Sequence, residues 1–351
     1  MSKPIILLIH GMGTHPPGNM RKEFIDGIND TAKLFEITDF DIEEKAQIEE
    51  FNYSEFLDSR RKADAEYAKS VAGLMTYLQG RGMGERVAKK LSGFFANFDE
   101  DEIFYTHWMD VIYYGLTFWG EKIRIDCAKR INDLMCQGHA QVRDVHVVAH
   151  SLGTAVFHDT VAKLFRKDAD IYDEVPQIDI GRFKLESVTS IANVSRLLNL
   201  LNDIADPHHS ILKKNGCTNI LYNVRNEFDP FTWVKTFDRK SNDVTDYIET
   251  TTVRKLNTHD FKEYISHPAV AWLMLNSFLG TSVSANTFAA AMRKYEESSV
   301  ERSLNELREL VHDIKEGGDF DDRVDAVKAL VTKSKALKEK FQHFVSDDGN
   351  H

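Results

Sequence analysis

The segment Val145-His146-Val147-Val148-Ala149-His150-Ser151-Leu152-Gly153-Thr154 constrains the fold of this chain more than any other stretch. A β-branched apolar run ends, a serine follows, and a helical pattern starts at once over Leu152 to Phe165. A strand that turns straight into a helix forces the corner residue into a strained backbone conformation and lifts its side chain clear of the sheet. Strand and helix approach so closely at such a corner that the residues two before and two after must be small. Here they are Ala149 and Gly153. Glycine at both positions is the usual pattern, and Ala149 departs from it by one methyl group.

The rest of the chain repeats this strand–helix alternation. Ile5 to Ile9 is a continuous apolar run suited to a strand covered on both faces. Asn19 to Phe35 reads as a helix, Ile48 to Tyr53 as a strand, and Arg60 to Gly138 as mostly helical, with Val111, Ile112, Leu116, Ile123, Ile131 and Leu134 on roughly one side. Further strands are expected over Phe183 to Ala192, Thr218 to Val224 and Tyr247 to Leu256, then a helix over Pro268 to Leu279. The fold class expected is α/β, a doubly wound and mostly parallel sheet. Residues 1–285 form this domain, with a helical, cap-forming segment at about 60–138. Leu304, Leu307, Val311 and Ile314, a break at Gly317-Gly318-Asp319, then Val324, Val327, Val331 and Leu337 read as a C-terminal helical hairpin. It makes 286–346 a helical extension that either packs on the main domain or offers a surface to a second copy or a protein partner. Residues 347–351 are a polar tail.

A chain of 351 residues can bury one large α/β core with such an appendage. The net charge of −11 argues against nucleic acid, whose binding needs a basic face to displace counterions. Cys127, Cys136 and Cys217 are few and widely spaced, which argues against a disulfide framework or a thiolate zinc site. Met1-Ser2-Lys3 leads directly into Pro4-Ile5, with no signal-like segment, and no uncharged stretch reaches the length of a membrane span. A cytoplasmic protein without an integral membrane segment is the expectation.

Ser151 is the candidate nucleophile; its plainer reading is a helix N-cap. Acyl transfer puts negative charge on a former carbonyl oxygen, which preorganised backbone N–H groups stabilise. The amide of Leu152, at the positive end of the following helix, is one candidate donor. The amide of Met12 is the other, in His10-Gly11-Met12-Gly13-Thr14-His15 directly after the first strand. His10, Gly11 and Gly13 support that loop, which lacks the spacing of a phosphate-binding glycine loop. For an acid, Asp229 in Glu227-Phe228-Asp229-Pro230 lies just past a strand; Glu227 and Asp206 compete with it. For a base, His259 is the first histidine after the last strand, and His267, before Pro268, is the alternative. His150 adjoins the serine but points elsewhere on such a turn, and is assigned to shaping the pocket. There is no HxH or HExxH cluster, and neither a metal nor an organic cofactor is expected.

Over roughly residues 3 to 280 the sequence resembles the α/β-hydrolase superfamily, most closely its lipase/esterase-type branch. The resemblance rests on IHGMG at the first strand, the segment from Asp110 to Tyr114, VVAHSLGTAV, the stretch from Asn223 to Pro230 and that from His259 to Tyr264. It implies a Ser151–His259–Asp229 triad and a serine hydrolase acting on a small-molecule or lipid carboxylic ester through an acyl-enzyme. Phospholipase or thioesterase action is the nearest variant. Ala192-Asn193-Val194-Ser195 departs from the Gly-Ser-Pro turn many relatives carry there, so the substrate does not transfer from them. The aromatic stretch of Phe94, Phe95, Phe98, Phe104, Tyr105, Trp108, Tyr113, Tyr114, Phe118 and Trp119 reads as helix packing or as a lipid-contacting cap. A competing expectation is a hydrolase-fold interaction protein without turnover, docking through its C-terminal helices.

Overall fold

The computed structural model describes residues 3–64, 102–141, 143–175 and 178–297, apart from 210–211, 213–215, 234, 238–245 and 255–256. Residues 65–101 of the expected cap, with Phe94, Phe95 and Phe98, the expected hairpin beyond residue 297 and the polar tail lie outside the described residues.

The chain runs β1 (Ile5–Ile9), α1 (Asn19–Leu34), α2 (Ile42–Lys45), β2 (Gln47–Phe51), α3 (Ser54–Asp64), α4 (Glu102–Leu116), α5 (Trp119–Gln141), β3 (Val145–His150), α6 (Leu152–Arg166), α7 (Ala169–Tyr172) and β4 (Leu185–Ile191). It continues with α8 (Ser195–Asn202), β5 (Thr218–Asn226), β6 (Asp246–Thr250), α9 (Phe261–Ser266), α10 (Pro268–Leu279) and α11 (Ala285–Glu296). All neighbouring strands pair in parallel, in the order β2-β1-β3-β4-β5-β6.

The uninterrupted apolar character of β1 follows from helices on both faces of the sheet. Ile5, Leu7 and Ile9 enter one core, with Leu152, Val156 and Val161 of α6 and Ile123 and Ile131 of α5. Ile6 and Leu8 enter the other, with Phe24 and Ile28 of α1 and Ile265 and Met274 of α9 and α10. Every residue of β1 is at most 1% exposed, so neither register of the side-chain alternation offers a polar face. From β1 the chain moves outward to β2 on one side and returns to β3 on the other. The carboxyl ends of β1 and β3 therefore flank the point where strand order reverses, where open parallel sheets leave a crevice.

Some elements differ from the sequence expectation. The helical run through Trp108 to Met135 is two helices, because Thr117 Oγ1 donates back to the Tyr113 carbonyl and accepts from the Trp119 amide, ending α4 and starting α5. The last strand stops at Thr250. The short helices α8 and α9, six to eight residues each, lack the length that makes an apolar period legible. Beyond residue 284, α11 packs on the main domain: Ala291 and Tyr295 are buried, and Phe288 stacks on Phe35 and meets the edge of Trp272. Among the described residues no helix is long and apolar enough to cross a membrane.

Candidate active site

Four strand ends converge at one edge of the sheet. Ser151, between β3 and α6, has φ 52° and ψ −123°, a left-handed conformation that a non-glycine residue holds only where its surroundings enforce it. Its amide donates to Ile191 O at 2.9 Å, and a β-carbon at Gly153 would stand 2.5 Å from the carbonyl oxygens of both Ile9 and His10. That junction excludes any side chain, which fixes where α6 starts relative to β1. Ser151 is fully buried.

His259 lies between β6 and α9, whose N-cap is Asp260. Its Nε2 is 2.7 Å from Ser151 Oγ and its Nδ1 is 2.7 Å from Asp229 Oδ2. An ionised carboxylate only accepts, so Nδ1 carries the proton and Nε2 is free to accept from the serine hydroxyl. Asp229 follows β5 and is completely buried. Its Oδ1 accepts from the Phe231 amide at 3.0 Å, and its Oδ2 accepts, besides the histidine, the Tyr264 hydroxyl at 2.8 Å. The same hydroxyl accepts from the Asn226 amide at 2.8 Å. Burial holds the Tyr264 phenol well above its ordinary pKa, so it stays a donor. The Phe231 ring covers His259, with centroids 4.4 Å apart.

His267 is not brought to this cluster. It is the N-cap of α10, its Nδ1 accepting from the Ala269 amide, and burial lowers its pKa to about 4. Asp206 Oδ1 accepts from the His208 amide, and the carboxylate joined to His259 is that of Asp229.

Across from Ser151, His259 and Asp229 stands the loop after β1. A β-carbon on Gly11 would lie 2.8 Å from Ser151 Cβ and 3.3 Å from its Oγ, so the glycine backbone faces the serine directly. Neither the Met12 nor the Leu152 amide has an acceptor among the described residues. The loop is held at each step. Gly13, at φ 96°, donates to Asp110 Oδ2 at 2.7 Å, and Asp110, completely buried, pairs with Arg61, which also pairs with Asp58. The Met12 carbonyl and His15 Nε2 are 3.0 Å apart, and the Gly13 carbonyl accepts from Ser54 Oγ at 3.2 Å. His10 Nε2 accepts from the amides of Tyr53 and Ser54, and burial lowers its pKa to about 3, so it is neutral. Ala149 fills the other small position and is fully buried.

His150 packs its ring 4.8 Å from that of His259 and against Phe261 and Tyr264. Burial keeps it well below its ordinary pKa, which spares His259 a neighbouring positive charge. Its Nε2 has no hydrogen-bond partner among the described residues. Among the described residues no three His, Cys, Asp or Glu side chains come together as a metal-ligand set.

Sequence reasoning missed Tyr53, Tyr264, Asp110 and Arg61 as parts of this site. Tyr264 and Asp110 fall inside the segments that carry the family resemblance, but no local pattern gives either a role. Tyr53 and Arg61 had no signal. Comparison with protein-family models, with curated proteins and with solved structures finds no match to this chain.

Proposed function

We propose that this chain is a serine hydrolase of the α/β-hydrolase type that cleaves carboxylic esters through an acyl-enzyme. The observation that carries the reading is the continuous relay Ser151 Oγ–His259 Nε2 and His259 Nδ1–Asp229 Oδ2, both 2.7 Å, ending on a serine at positive φ. The nucleophile, acid and base follow β3, β5 and β6, the chain order Ser, Asp, His that this architecture imposes.

Ser151 Oγ attacks the acyl carbon while His259 Nε2 takes its proton, and Asp229 supports the imidazolium that forms. The amides of Met12 and Leu152 receive the developing oxyanion. The ester C–O bond breaks as His259 returns the proton to the departing alcohol. Water then attacks the acyl-serine, losing its proton to His259, and the acid leaves as His259 returns that proton to Ser151 Oγ. Each step balances with no metal or organic cofactor.

The same relay would serve a lipid ester or thioester, so lipase, phospholipase or thioesterase action is the nearest variant. Labelling by a fluorophosphonate tests the main reading. The wild type should label and Ser151→Ala should not; a wild type that fails to label sinks it and leaves the docking protein without turnover. A panel of esters of rising acyl length, above and below micelle formation, separates esterase from lipase.

A further inference from the structure

We propose that Tyr53, two residues past β2, is a positioning residue for the oxyanion hole, acting on the peptide whose N–H belongs to Met12. The inference rests on the serine-hydrolase reading and adds a residue to its machinery. The Tyr53 hydroxyl lies 2.9 Å from both the Gly11 and the His10 carbonyl oxygens. The Gly11 carbonyl and the Met12 N–H are the two ends of one peptide group. In a trans peptide they point in opposite directions, so holding the oxygen aims the hydrogen. His10 Nδ1 also meets the Gly11 oxygen, at 2.7 Å. Its Nε2 accepts two backbone N–H groups, which leaves the proton on Nδ1 and makes that contact a donation. The one Tyr53 proton is shared between the His10 and Gly11 oxygens, so the Gly11 oxygen takes that shared bond and the one from His10, while the Gly11 Cα faces Ser151 with no side chain and the Met12 amide has no acceptor among the described residues.

Two consequences follow for the reaction. Hydrogen bonds to a carbonyl polarise the whole peptide and make its N–H a stronger donor. Fixed orientation means the donor needs no reorganisation when charge appears on the substrate oxygen. Tyr53 also stacks on His10 with ring centroids 4.0 Å apart, so one side chain supplies a donor and holds the imidazole beside it. Both are buried, and Tyr53 keeps its phenolic proton because burial raises its pKa well above the ordinary value.

Tyr53→Phe keeps the stacked ring and deletes only the hydroxyl. With p-nitrophenyl butyrate as substrate, kcat should fall about tenfold with little change in KM, because the lost interaction acts only once an oxyanion forms. The inhibition constant of an alkyl trifluoromethyl ketone, whose serine adduct carries that oxyanion, should rise by the same factor. Melting temperature should stay close to wild type. A variant equal to wild type in kcat and in ketone affinity overturns the inference, as does a loss of kcat with ketone affinity unchanged. If Tyr53→Phe proves unstable, 3,5-difluorotyrosine at position 53, a stronger donor of nearly the same size, decides: ketone affinity above wild type supports the role, and affinity equal to or weaker than wild type overturns it. A wild-type protein that fails to label with fluorophosphonate removes the reading and this inference together. One that labels normally while its Tyr53 variants are indifferent removes the inference alone.

Discussion

Asp229→Asn tests the proposed triad most sharply, because the hydrogen bonds around that carboxylate leave an amide no satisfactory arrangement. Oδ2 accepts from His259 Nδ1 and Tyr264 OH, and Oδ1 accepts from the Phe231 amide: three donors converge on one fully buried group. An asparagine offers a single acceptor oxygen. With that oxygen at the Oδ2 position, its NH2 faces the Phe231 N–H, donor against donor at 3.0 Å. With NH2 at the Oδ2 position, His259 Nδ1 must become the acceptor, its proton moves to Nε2, and the ring no longer accepts from Ser151. Either way a buried donor goes unpaired, at about 1–3 kcal/mol of stability. In both, the imidazolium of the transition state loses its counter-charge. The loss of kcat should be about 10³–10⁴-fold, equivalent to about 4–5.5 kcal/mol of transition-state stabilisation. KM should change little, since the ground-state ester does not touch Asp229. Ester turnover and the rate of fluorophosphonate labelling measure it. The double variant with Ser151→Ala should be no slower than Ser151→Ala alone, because residues acting as one unit are not additive. An Asp229→Asn enzyme within about tenfold of wild type would refute the assigned role, since loss of the correct tautomer alone exceeds that.

Gly153→Ala places a methyl 2.5 Å from two backbone oxygens that cannot swing aside, so it should cost about 3 kcal/mol, the upper range of overpacking, and lower both Tm and labelling. A wild-type Tm would show that strand and helix do not meet as described. Tyr264→Phe removes one donor from Asp229 and the acceptor of the Asn226 amide, and kcat should fall about tenfold, well short of Asp229→Asn; an unchanged rate in the same ester assay counts against its part in the relay. Acid should unfold the protein for a definable reason. Burial holds His10 and His146 near 3 and His267 near 4 in the folded chain, against an ordinary 6.5. The unfolded chain takes up protons the folded one refuses, so stability is full above pH 6.5 and is lost as pH falls toward 4, by roughly 4 kcal/mol per pH unit for the three together. Urea midpoints at pH 7 and pH 5 check this, and equal midpoints contradict it.

How far the sequence reaches depends on the distance over which each feature is encoded. The turn at Ser151 is legible because all its requirements, a β-branched strand, small residues at 149 and 153 and an immediate helix, lie within ten neighbouring positions. The strands of the parallel sheet are legible for the same reason, since burial on both faces writes itself as an unbroken apolar run in β1 and β3. Choosing between His259 and His267 is harder. Both precede a helix, and what separates them is that Asp260 caps α9, leaving the His259 ring free for Asp229, whereas the His267 ring is itself the cap of α10. That difference lies in a side chain's hydrogen bond and leaves no trace in spacing. The supporting residues are the least legible. Asp110 meets Gly13 across 97 residues of chain, Tyr53 meets Gly11 across 42 and Tyr264 meets Asp229 across 35. On its own element each is a polar side chain on a helix or at a strand end, the commonest places for one to have no special role. The β1–β2 pairing, with Ile9 beside Phe51, brings Tyr53 to the glycine loop, and the helix α4 brings Asp110. The groups proposed to move protons are thus written in short motifs, while those that aim them are contributed by topology. Substitutions at the second set should damage kcat while leaving every recognisable motif intact.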